Sequence, residues 1–360
     1  MRVAVVGAGL AGLASAAGLS RAGHSVEVFE RSDALRASGL ALNFWSNATS
    51  LLPGLGVADG LGEPVARMTI RAQGRDVTTM SLPAKGLPHV NVDRAPLLEA
   101  LARALPEGAV SYGVSCTDAA ELAGAYDLVV VADGVNSKLR NYVSEQPRKR
   151  WLWPIWQACV PAEAPEVPPG TGAAIVRAGM FAGIWRLPGG RLGWFVEQPS
   201  RTPGTGHQLL EELRGDKDPL LRAAAAATRP EDLVEWLAQD TWPGRRLYRS
   251  NVVLVGDAAH AMLPTLGQGA CQSLEDAAEL TRCIETESSI AAALRLYQRR
   301  RLLRVKIIVG LARAGAVTRR SNLMSRAIPE SVMARLLGIS SGPIMRHLTK
   351  PNPRLVSRAT

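Results

Sequence analysis

The N-terminal stretch VAVVGAGLAG constrains the fold more than any other part of the sequence. Residues 2–6 are mostly apolar and β-branched, as in a strand that is buried on both faces of a parallel sheet. Gly7, Gly9 and Gly12 follow at once and open a helical pattern, and the next strand, SVEVF, ends at the acidic Glu30, 18 residues after Gly12. The sequence therefore predicts a β–α–β unit whose first turn is a G-x-G-x-x-G motif.

Each part of this unit suits a dinucleotide. Gly7 permits a tight turn, Gly9 lets a pyrophosphate approach the backbone, and Gly12 lets the helix pack closely on the strand. The helix N-terminus offers free N–H groups and the positive end of a dipole to the phosphates. Glu30 is placed to accept hydrogen bonds from ribose hydroxyls, which favours FAD or NAD over NADP. The motif by itself leaves FAD and NAD open.

The chain after Glu30 departs from a regular alternation of strands and helices. Short alternating runs in ARMTIRAQGRDVTTMSL (66–82) predict antiparallel strands, and a helix is predicted to begin at Arg94. A further strand leads into YDLVVVADGVNSKLR (126–140). A dehydrogenase would instead continue through one doubly wound sheet. The sequence therefore predicts inserted β structure, as in FAD enzymes that have a separate substrate-binding sheet.

A second glycine-containing turn lies about 250 residues later, in VVLVGDAAHAMLPTLGQGACQSLEDA (252–277). An apolar run ends at Gly256-Asp257, and Gly267-Gln268-Gly269 opens a predicted helix. A carboxylate near a pyrophosphate is repelled unless it accepts hydrogen bonds from hydroxyl groups, which suits Asp257 to a ribityl chain. If the first turn binds the pyrophosphate and the second binds the ribityl chain and the flavin, the two turns serve the two ends of one cofactor. This arrangement favours FAD over NAD.

Three stretches together resemble the class A FAD-dependent monooxygenases, the para-hydroxybenzoate-hydroxylase-like superfamily, and most closely its compact salicylate-hydroxylase-like subgroup. The family's order and spacing extend over at least residues 1–310. The resemblance implies an α/β fold, in which a Rossmann-like FAD-binding domain of the glutathione-reductase type is interleaved with a mostly antiparallel β-sheet substrate domain and followed by C-terminal helices. The three stretches are the glycine motif with Glu30, Asp133-Gly134 in ADGVNSKLR, and Gly256-Asp257 with its continuation to Ala277.

The predicted domains are discontinuous. The FAD-binding domain comprises residues 1–65, 90–145 and 245–310. The substrate-binding sheet domain comprises residues 66–89 and 146–244, and residues 311–360 form a C-terminal helical segment.

The resemblance also implies an activity. The enzyme would use NADH or NADPH and O₂ to hydroxylate or epoxidise an apolar, aromatic or polycyclic small molecule through a flavin C4a-hydroperoxide. The same fold supports FAD-dependent reductases and redox-neutral cyclases, and a flavin-binding accessory protein is a further alternative. No catalytic side chain is assigned, because relatives take a general base from the variable substrate domain and some need none.

The resemblance places most site residues on the cofactor. Pro264, Gly267, Gln268 and Gly269 would face the isoalloxazine, and His260 is expected to be structural rather than catalytic. Cys271 stands where the family often has Asn, although Cys also occurs there in the compact subgroup. The implied cofactor-binding residues are Gly7, Ala8, Gly9, Ala11, Gly12, Glu30, Arg31, Arg36, Arg94, Asp133, Gly134, Asp257, Pro264, Gly267, Gln268, Gly269 and Ala270.

Five of the eight tryptophans fall between residues 151 and 194. Alternation in WLWPIWQACV and FAGIWRLPGGRLGWFVE predicts strands of the substrate-domain sheet. One face of that sheet would cover the flavin and line a pocket for a flat substrate, with Trp153, Trp185 and Trp194 as the predicted pocket residues. Ordinary core packing is the alternative for each of them.

The net charge of +10 is concentrated near the C-terminus. Residues 288–329 contain ten basic residues and no Asp or Glu, so the rest of the chain is about neutral. A solvated basic face on late helices is the favoured interpretation, and docking to an acidic carrier protein or an anionic membrane surface is the alternative. Nucleic-acid binding is not expected, because no interleaved aromatic residues or known motif accompany the arginines.

Composition limits the remaining possibilities. The four cysteines show no C-x-x-C or metal-like spacing, which indicates free thiols in a reducing compartment and no metal site. Lys306 and Arg313 interrupt LLRVKIIVGLARAGAV, so no transmembrane segment is predicted. The glycines at the N-terminus are explained by the dinucleotide motif rather than by a signal peptide. The protein is therefore expected to be cytoplasmic, with a small molecule and O₂ as its partners.

Overall fold

A computed structural model gives the architecture of the chain. The structure describes residues 1–35, 41–58, 60–82, 89–144, 153–161, 167–177, 179–197, 205–320, 329, 332, 335 and 347–356, with side chains in the long C-terminal helix described as far as residue 316.

The first sheet has six strands in the order β15-β16-β9-β1-β2-β8. All neighbours are parallel except β15, which is antiparallel to β16. Val3, Val5 and Leu128 are fully buried because helices cover both faces of the centre of the sheet. The strands are β1 (Arg2–Val6), β2 (Ser25–Glu30), β8 (Val110–Tyr112), β9 (Leu128–Val131), β15 (Tyr248–Arg249) and β16 (Val252–Leu254).

The second sheet has seven strands in the order β14-β10-β13-β12-β11-β5-β6. Its neighbours are antiparallel except β11 and β5, which are parallel. The strands are β5 (Arg67–Ala72), β6 (Arg75–Ser81), β10 (Trp153–Pro161), β11 (Thr171–Arg177), β12 (Met180–Arg186), β13 (Arg191–Glu197) and β14 (Val234–Ala238).

A three-stranded antiparallel sheet connects the two larger ones. It consists of β3 (Ala41–Phe44), β7 (His89–Asp93) and β4 (Gly62–Val65), in that order. Phe44 belongs to the core of the first sheet, whereas Ala41 packs against Trp185 and Leu187 of the second. The small sheet therefore contributes side chains to the cores beside both large sheets.

Helices surround these sheets. Helix α1 packs along α9, and a Cβ at Gly18 would lie 2.5 Å from Thr281 Oγ1, so the two helices approach closely. Single turns of 3₁₀ helix cover Pro53–Leu55, Pro188–Gly190, Pro230–Asp232 and Pro264–Leu266. The α-helices are α1 (Leu10–Arg21), α2 (Ser46–Thr49), α3 (Arg94–Arg103), α4 (Ala119–Ala125), α5 (Arg140–Val143), α6 (Gly206–Arg214), α7 (Pro219–Ala227), α8 (Asp257–His260), α9 (Gly269–Thr286), α10 (Ile290–Arg320) and α11 (Pro353–Val356).

The predicted α/β class with two kinds of sheet is confirmed. The run 66–82 forms the antiparallel pair β5–β6, with an irregularity in register between Ile70 and Arg71. Helix α10 continues across the predicted domain boundary at residue 310, and the domain boundaries themselves stay a prediction. Among the helices in the described ranges, none has the length and apolar character needed to cross a membrane.

Candidate active site

Three sequence motifs meet at one edge of the first sheet. Strands β16, β9 and β1 are neighbours and parallel, so their carboxyl ends lie side by side. Gly7 follows β1, Asp133-Gly134 follows β9, and Gly256-Asp257 follows β16. Ligands of open α/β sheets bind outside the carboxyl ends of the strands. The topology thus brings together residues that are more than 100 positions apart in the chain.

The first glycine turn has the close contacts that its motif requires. Gly7 has φ +104°, and a Cβ there would lie 2.6 Å from the Ala132 carbonyl oxygen. A Cβ at Gly12 would overlap the Gly7 carbonyl oxygen. Gly9 differs, because a Cβ there would meet no protein atom within 4 Å. The space beside Gly9, in front of the α1 N-terminus, is therefore open to a ligand.

Glu30 is oriented by backbone amides. Its Oε2 accepts the Ala8 N–H at 2.8 Å, and its Oε1 accepts the Ser32 N–H at 2.9 Å. These bonds fasten the end of β2 to the glycine turn. Glu30 therefore lies beside the glycine turn, where the ribose hydroxyls are predicted to bind.

The second turn touches the first. Gly256 has φ +57° and ψ −141°, and a Cβ there would lie 2.5 Å from the Ala11 Cβ. Arg140 joins the second turn to the Asp133-Gly134 motif. Its guanidinium donates to the carbonyl oxygens of Ala258 at 2.5 Å, Asp257 at 2.9 Å and Val135 at 3.2 Å. The three motifs therefore form one continuous surface.

Asp257 is the charged group at the centre of this surface. Its side chain is exposed at the surface of the described part of the chain. Desolvation by the surrounding protein atoms nevertheless raises the pKa of its carboxyl, and the nearby His260, Arg94 and Arg140 oppose that rise. Hydroxyl donors would stabilise the ionised form further, which is what a ribityl chain offers.

The loop predicted to face the flavin connects α8 to α9 and comprises residues 261–268; it is called the flavin loop below. The turn Pro264–Leu266 ends at Gly267, which has φ +60°, and α9 begins at Gly269. The first bond of α9 joins the Gln272 N–H to the Gln268 carbonyl, so the amides of Gly269, Ala270 and Cys271 have no acceptor within the helix. This helix N-terminus can stabilise negative charge on a ligand in front of it.

The side chain of Gln268 points inward. It is fully buried, and its Oε1 accepts from Asn47 Nδ2 at 3.2 Å and from Gln272 Nε2 at 3.0 Å. Only the Gln268 backbone can therefore face a flavin. Cys271 is also fully buried, and burial raises the pKa of its thiol to about 12, so it stays a thiol.

A polar cluster beneath Gly267 was not predicted. Asn43 Nδ2 donates to Asn91 Oδ1 at 2.6 Å, so Asn43 Oδ1 accepts from His89 Nε2 at 2.5 Å. Burial lowers the pKa of His89 to about 3 and keeps the imidazole neutral. Trp45 stacks on His89 with ring centroids 4.2 Å apart, and its Nε1 would lie 3.2 Å from a Cβ at Gly267. The cluster thus supports the flavin loop from below.

The two faces of the second sheet have different surroundings. Trp185 lies on the face that meets the small sheet and packs with Ala41 and Leu187, and its ring centroid is 5.5 Å from that of Phe195. Trp153 lies on the same face, in a cluster with Leu263 of the flavin loop and Ala312 of α10. These two predicted pocket residues therefore lie on the face that turns toward the flavin loop.

The prediction for Trp194 is wrong. Its side chain is fully buried on the opposite face, among Leu210, Leu213 and Leu221 of α6 and α7. Trp194 Nε1 donates to Thr228 Oγ1 at 3.0 Å. Alternation places successive residues on opposite faces, but it does not say which face the helices cover. Trp194 is a core residue.

Arg31 is exposed at the end of β2. Arg36 lies outside the described residues. Arg94, by contrast, begins α3 and is close enough to affect Asp257.

Part of the basic segment forms ion pairs inside the fold. Arg300, Arg301 and Arg304 of α10 pair with acidic residues of α9. Arg313 pairs with the fully buried Asp240. At least four of the ten basic residues are therefore internal ion-pair partners and are not available to a docking surface.

The surface fits FAD on its own geometry. The open space at Gly9 and the α1 N-terminus match a pyrophosphate. Asp257, whose ionised form is stabilised by hydroxyl donors, matches a ribityl chain, and the α9 N-terminus matches a flavin.

A family model described as an FAD binding domain matches residues 117–312, more than half of the chain. The chain belongs to the class A FAD-dependent monooxygenases. A model described as an NAD(P)-binding Rossmann-like domain matches residues 5–42 of this monooxygenase.

Relatives with known activities match most of the monooxygenase. The FAD-dependent urate hydroxylase of Klebsiella pneumoniae is 29% identical over 345 residues, which cover 87% of this chain and 89% of the relative. The 3-amino-4-hydroxybenzoate 2-monooxygenase of Streptomyces cremeus is 30% identical over 341 residues, 84% of each chain. The crystal structure of Klebsiella pneumoniae HpxO complexed with FAD and uric acid has a TM-score of 0.83 and 26% identity, covering 97% of this chain and 96% of HpxO.

These findings establish the class of reaction. The monooxygenase uses FAD as its cofactor, with NAD(P)H and O₂ as co-substrates. The expected resemblance, cofactor and activity are thereby confirmed.

Proposed function

We propose that this monooxygenase hydroxylates a planar, electron-rich aromatic compound bound between the flavin loop and the open face of the second sheet. The observation that carries the proposal is the meeting of β1, β9 and β16 at one edge, with the flavin loop facing Trp153. Relatives named for urate and for 3-amino-4-hydroxybenzoate support a small aromatic substrate.

The proposed cofactor contacts follow the surface described above. The first turn and the α1 N-terminus bind the pyrophosphate, and Glu30 binds the adenosine ribose. Asp257 holds the ribityl chain, and the backbone from Pro264 to Ala270 runs along the isoalloxazine. Bound FAD supplies the redox chemistry that activates O₂.

The residues of the chain contribute positioning and a dry environment. Amides at the α9 N-terminus stabilise negative charge near the flavin, and such donors are worth about 3 kcal/mol each in oxyanion holes. Trp153, Phe195 and Leu263 exclude water from the space above the loop. Trp185 and Phe195 form an aromatic surface on which a flat ring can stack.

The substrate class is testable with the purified, FAD-loaded protein. NADH or NADPH oxidation and O₂ uptake would be measured with urate, salicylate, 3-amino-4-hydroxybenzoate and larger fused-ring phenols. A substrate-dependent increase in both rates, with one O₂ consumed per hydroxylated product, is expected for at least one planar aromatic compound. Turnover of such a compound without O₂ uptake would contradict the proposal.

Asp257→Ala tests the cofactor contacts. The loss of a charge-assisted hydrogen bond to the ribityl chain should raise the FAD dissociation constant about 10- to 100-fold, equivalent to roughly 1.5–3 kcal/mol. FAD titration followed by flavin fluorescence measures the change, with thermal unfolding as the control for folding. Unchanged FAD affinity in a folded variant would show that Asp257 does not bind the ribityl chain.

The compartment is also a proposal. All four cysteines are free thiols, which supports a reducing compartment and hence the cytoplasm.

A further inference from the structure

Acidic residues of α9 face arginines of α10 with matching spacing. Glu275, Asp276 and Glu279 have the pattern i, i+1, i+4, and Arg300, Arg301 and Arg304 repeat it. Arg301 Nε donates to Asp276 Oδ1 at 2.7 Å, and Arg300 Nη1 donates to Glu279 Oε1 at 2.5 Å. Arg304 Nε donates to Glu275 Oε2 at 2.6 Å. The two helices are therefore joined by a row of ion pairs whose carboxylates are buried.

One member of this row also reaches the second glycine turn. Asp276 is fully buried, and its Oδ2 accepts the Gly256 N–H at 2.8 Å and bonds His260 Nε2 at 2.6 Å. Burial alone would raise the pKa of this carboxyl, but His260, Arg301 and these hydrogen bonds hold it well below its usual value. Asp276 is thus a carboxylate whose two oxygens connect α10 to the turn that precedes Asp257.

The proton on His260 follows from this arrangement. Because Asp276 is ionised and accepts, His260 Nε2 is the donor. The His260 side chain is itself buried, so this N–H is directed at Asp276 in the interior of the protein.

The Gly256 turn depends on such an external bond. At φ +57° and ψ −141° its backbone has a conformation open only to glycine, which has no side chain to stabilise it. The Asp276 bond to the Gly256 N–H orients the Val255–Gly256 peptide, which lies one peptide before Asp257. Rotation of this peptide would move the Asp257 carboxylate relative to the Ala11 end of the first turn.

We infer that Asp276, held by Arg301 and His260, is a positioning residue that sets the Gly256 turn and thereby directs Asp257 toward the ribityl chain. The inference rests on the proposed role of Asp257. It also gives the basic helix α10 a function, because Arg301 supplies the countercharge that allows a carboxylate to remain buried behind the cofactor.

Asp276→Asn tests the inference against a matched control, Glu279→Gln. Glu279 is a buried acid one turn further along α9 that also pairs with an arginine of α10, and no hydrogen bond in the described part of the chain joins it to the turn. In Asp276→Asn we expect a 10-fold or greater rise in the FAD dissociation constant and a change in the visible absorption bands of the bound flavin. Glu279→Gln should lower the melting temperature but change FAD affinity less than twofold.

Substitutions at His260 supply a second, milder test. Glutamine can still donate to Asp276, so His260→Gln should bind FAD within about twofold of the original protein. Phenylalanine fills similar space without a donor, so His260→Phe should bind FAD three- to tenfold more weakly. Equal FAD affinity and equal flavin spectra in both variants would overturn the role of the hydrogen bond.

Failure of the inference is distinguishable from failure of the proposed function. Asp257→Ala is measured in the same titrations. If Asp257→Ala weakens FAD binding but Asp276→Asn does so no more than Glu279→Gln, the positioning role is wrong and the ribityl contact stands. If Asp257→Ala leaves FAD affinity unchanged, the ribityl contact itself is wrong.

Discussion

The two glycine turns perform comparable tasks but are held in place differently. The first, from Gly7 to Gly12, is held mainly by close backbone contacts, of Gly12 with Gly7 and of Gly7 with Ala132, together with the Glu30 bond to the Ala8 N–H. The second, from Gly256 to Ala270, is held by side chains from α9, α10 and the small sheet. Backbone packing dominates at the first turn, whereas a buried polar network dominates at the second.

The largest expected effect is at the first turn. In Gly12→Ala the new methyl group would overlap the Gly7 carbonyl, which should destabilise the protein by more than about 3 kcal/mol and abolish FAD binding. Urea unfolding of the FAD-free protein measures the loss.

Gly9→Ala is the matched control for Gly12→Ala. Its methyl group meets no protein atom within 4 Å, so unfolding should change by less than about 1 kcal/mol. FAD binding should nevertheless weaken at least 100-fold, because the methyl group occupies the approach of the pyrophosphate. Equal FAD affinity in Gly9→Ala and the original protein would show that this space is not the pyrophosphate site.

Gly256→Ala tests the contact between the turns. A positive φ and a 2.5 Å approach to the Ala11 Cβ should together cost about 2–3 kcal/mol in the free energy of unfolding. Adding Ala11→Gly removes the steric part and should restore about half of the loss. If the double variant is no more stable than Gly256→Ala, the two turns are independent, and the comparison loses its structural basis.

His89, which supports the second turn, makes the free energy of unfolding depend on pH. Its pKa is lowered from 6.5 to about 3 in the folded protein, so below pH 6.5 the unfolded chain binds a proton that the folded protein cannot. Stability should fall as the pH decreases from 7.5 to 5, by about 2 kcal/mol from this group. In His89→Gln, which keeps a donor for Asn43, that part of the decrease should disappear. Identical pH profiles in urea unfolding would contradict the prediction.

The difference between the two glycine turns also explains which features could be predicted from the sequence. The first turn, its flanking strands and Glu30 lie within one short segment, so spacing alone indicates their arrangement. Gly256-Asp257 could be recognised as a motif, and Asp276 lies 20 residues after Gly256. The other supports, Arg301 and His89, come from separate segments. The matching i, i+1, i+4 charges of α9 and α10 were visible, and their pairing required knowing that these helices pack together.

The second sheet shows another limit of sequence patterns. Alternation correctly predicted strands at β12 and β13, yet Trp185 and Trp194 lie on opposite faces. The choice of face depends on α6 and α7, which cover Trp194 from one side. Tertiary packing, rather than the strand itself, decides which aromatic side chain lies toward the pocket.

The strand order β16-β9-β1 has a consequence for how the protein is made. A ribosome releases β1 and α1 early, but β9 arrives after more than 120 residues and β16 after more than 250. The cofactor cleft therefore cannot close around FAD until most of the chain has been translated. During that interval the edge of β1 that pairs with β9 is unpaired, although β2 already covers the other edge, and an unpaired strand edge promotes aggregation of a nascent chain. Cofactor capture is thus a late event in biosynthesis, and shortage of FAD would act on a nearly finished polypeptide.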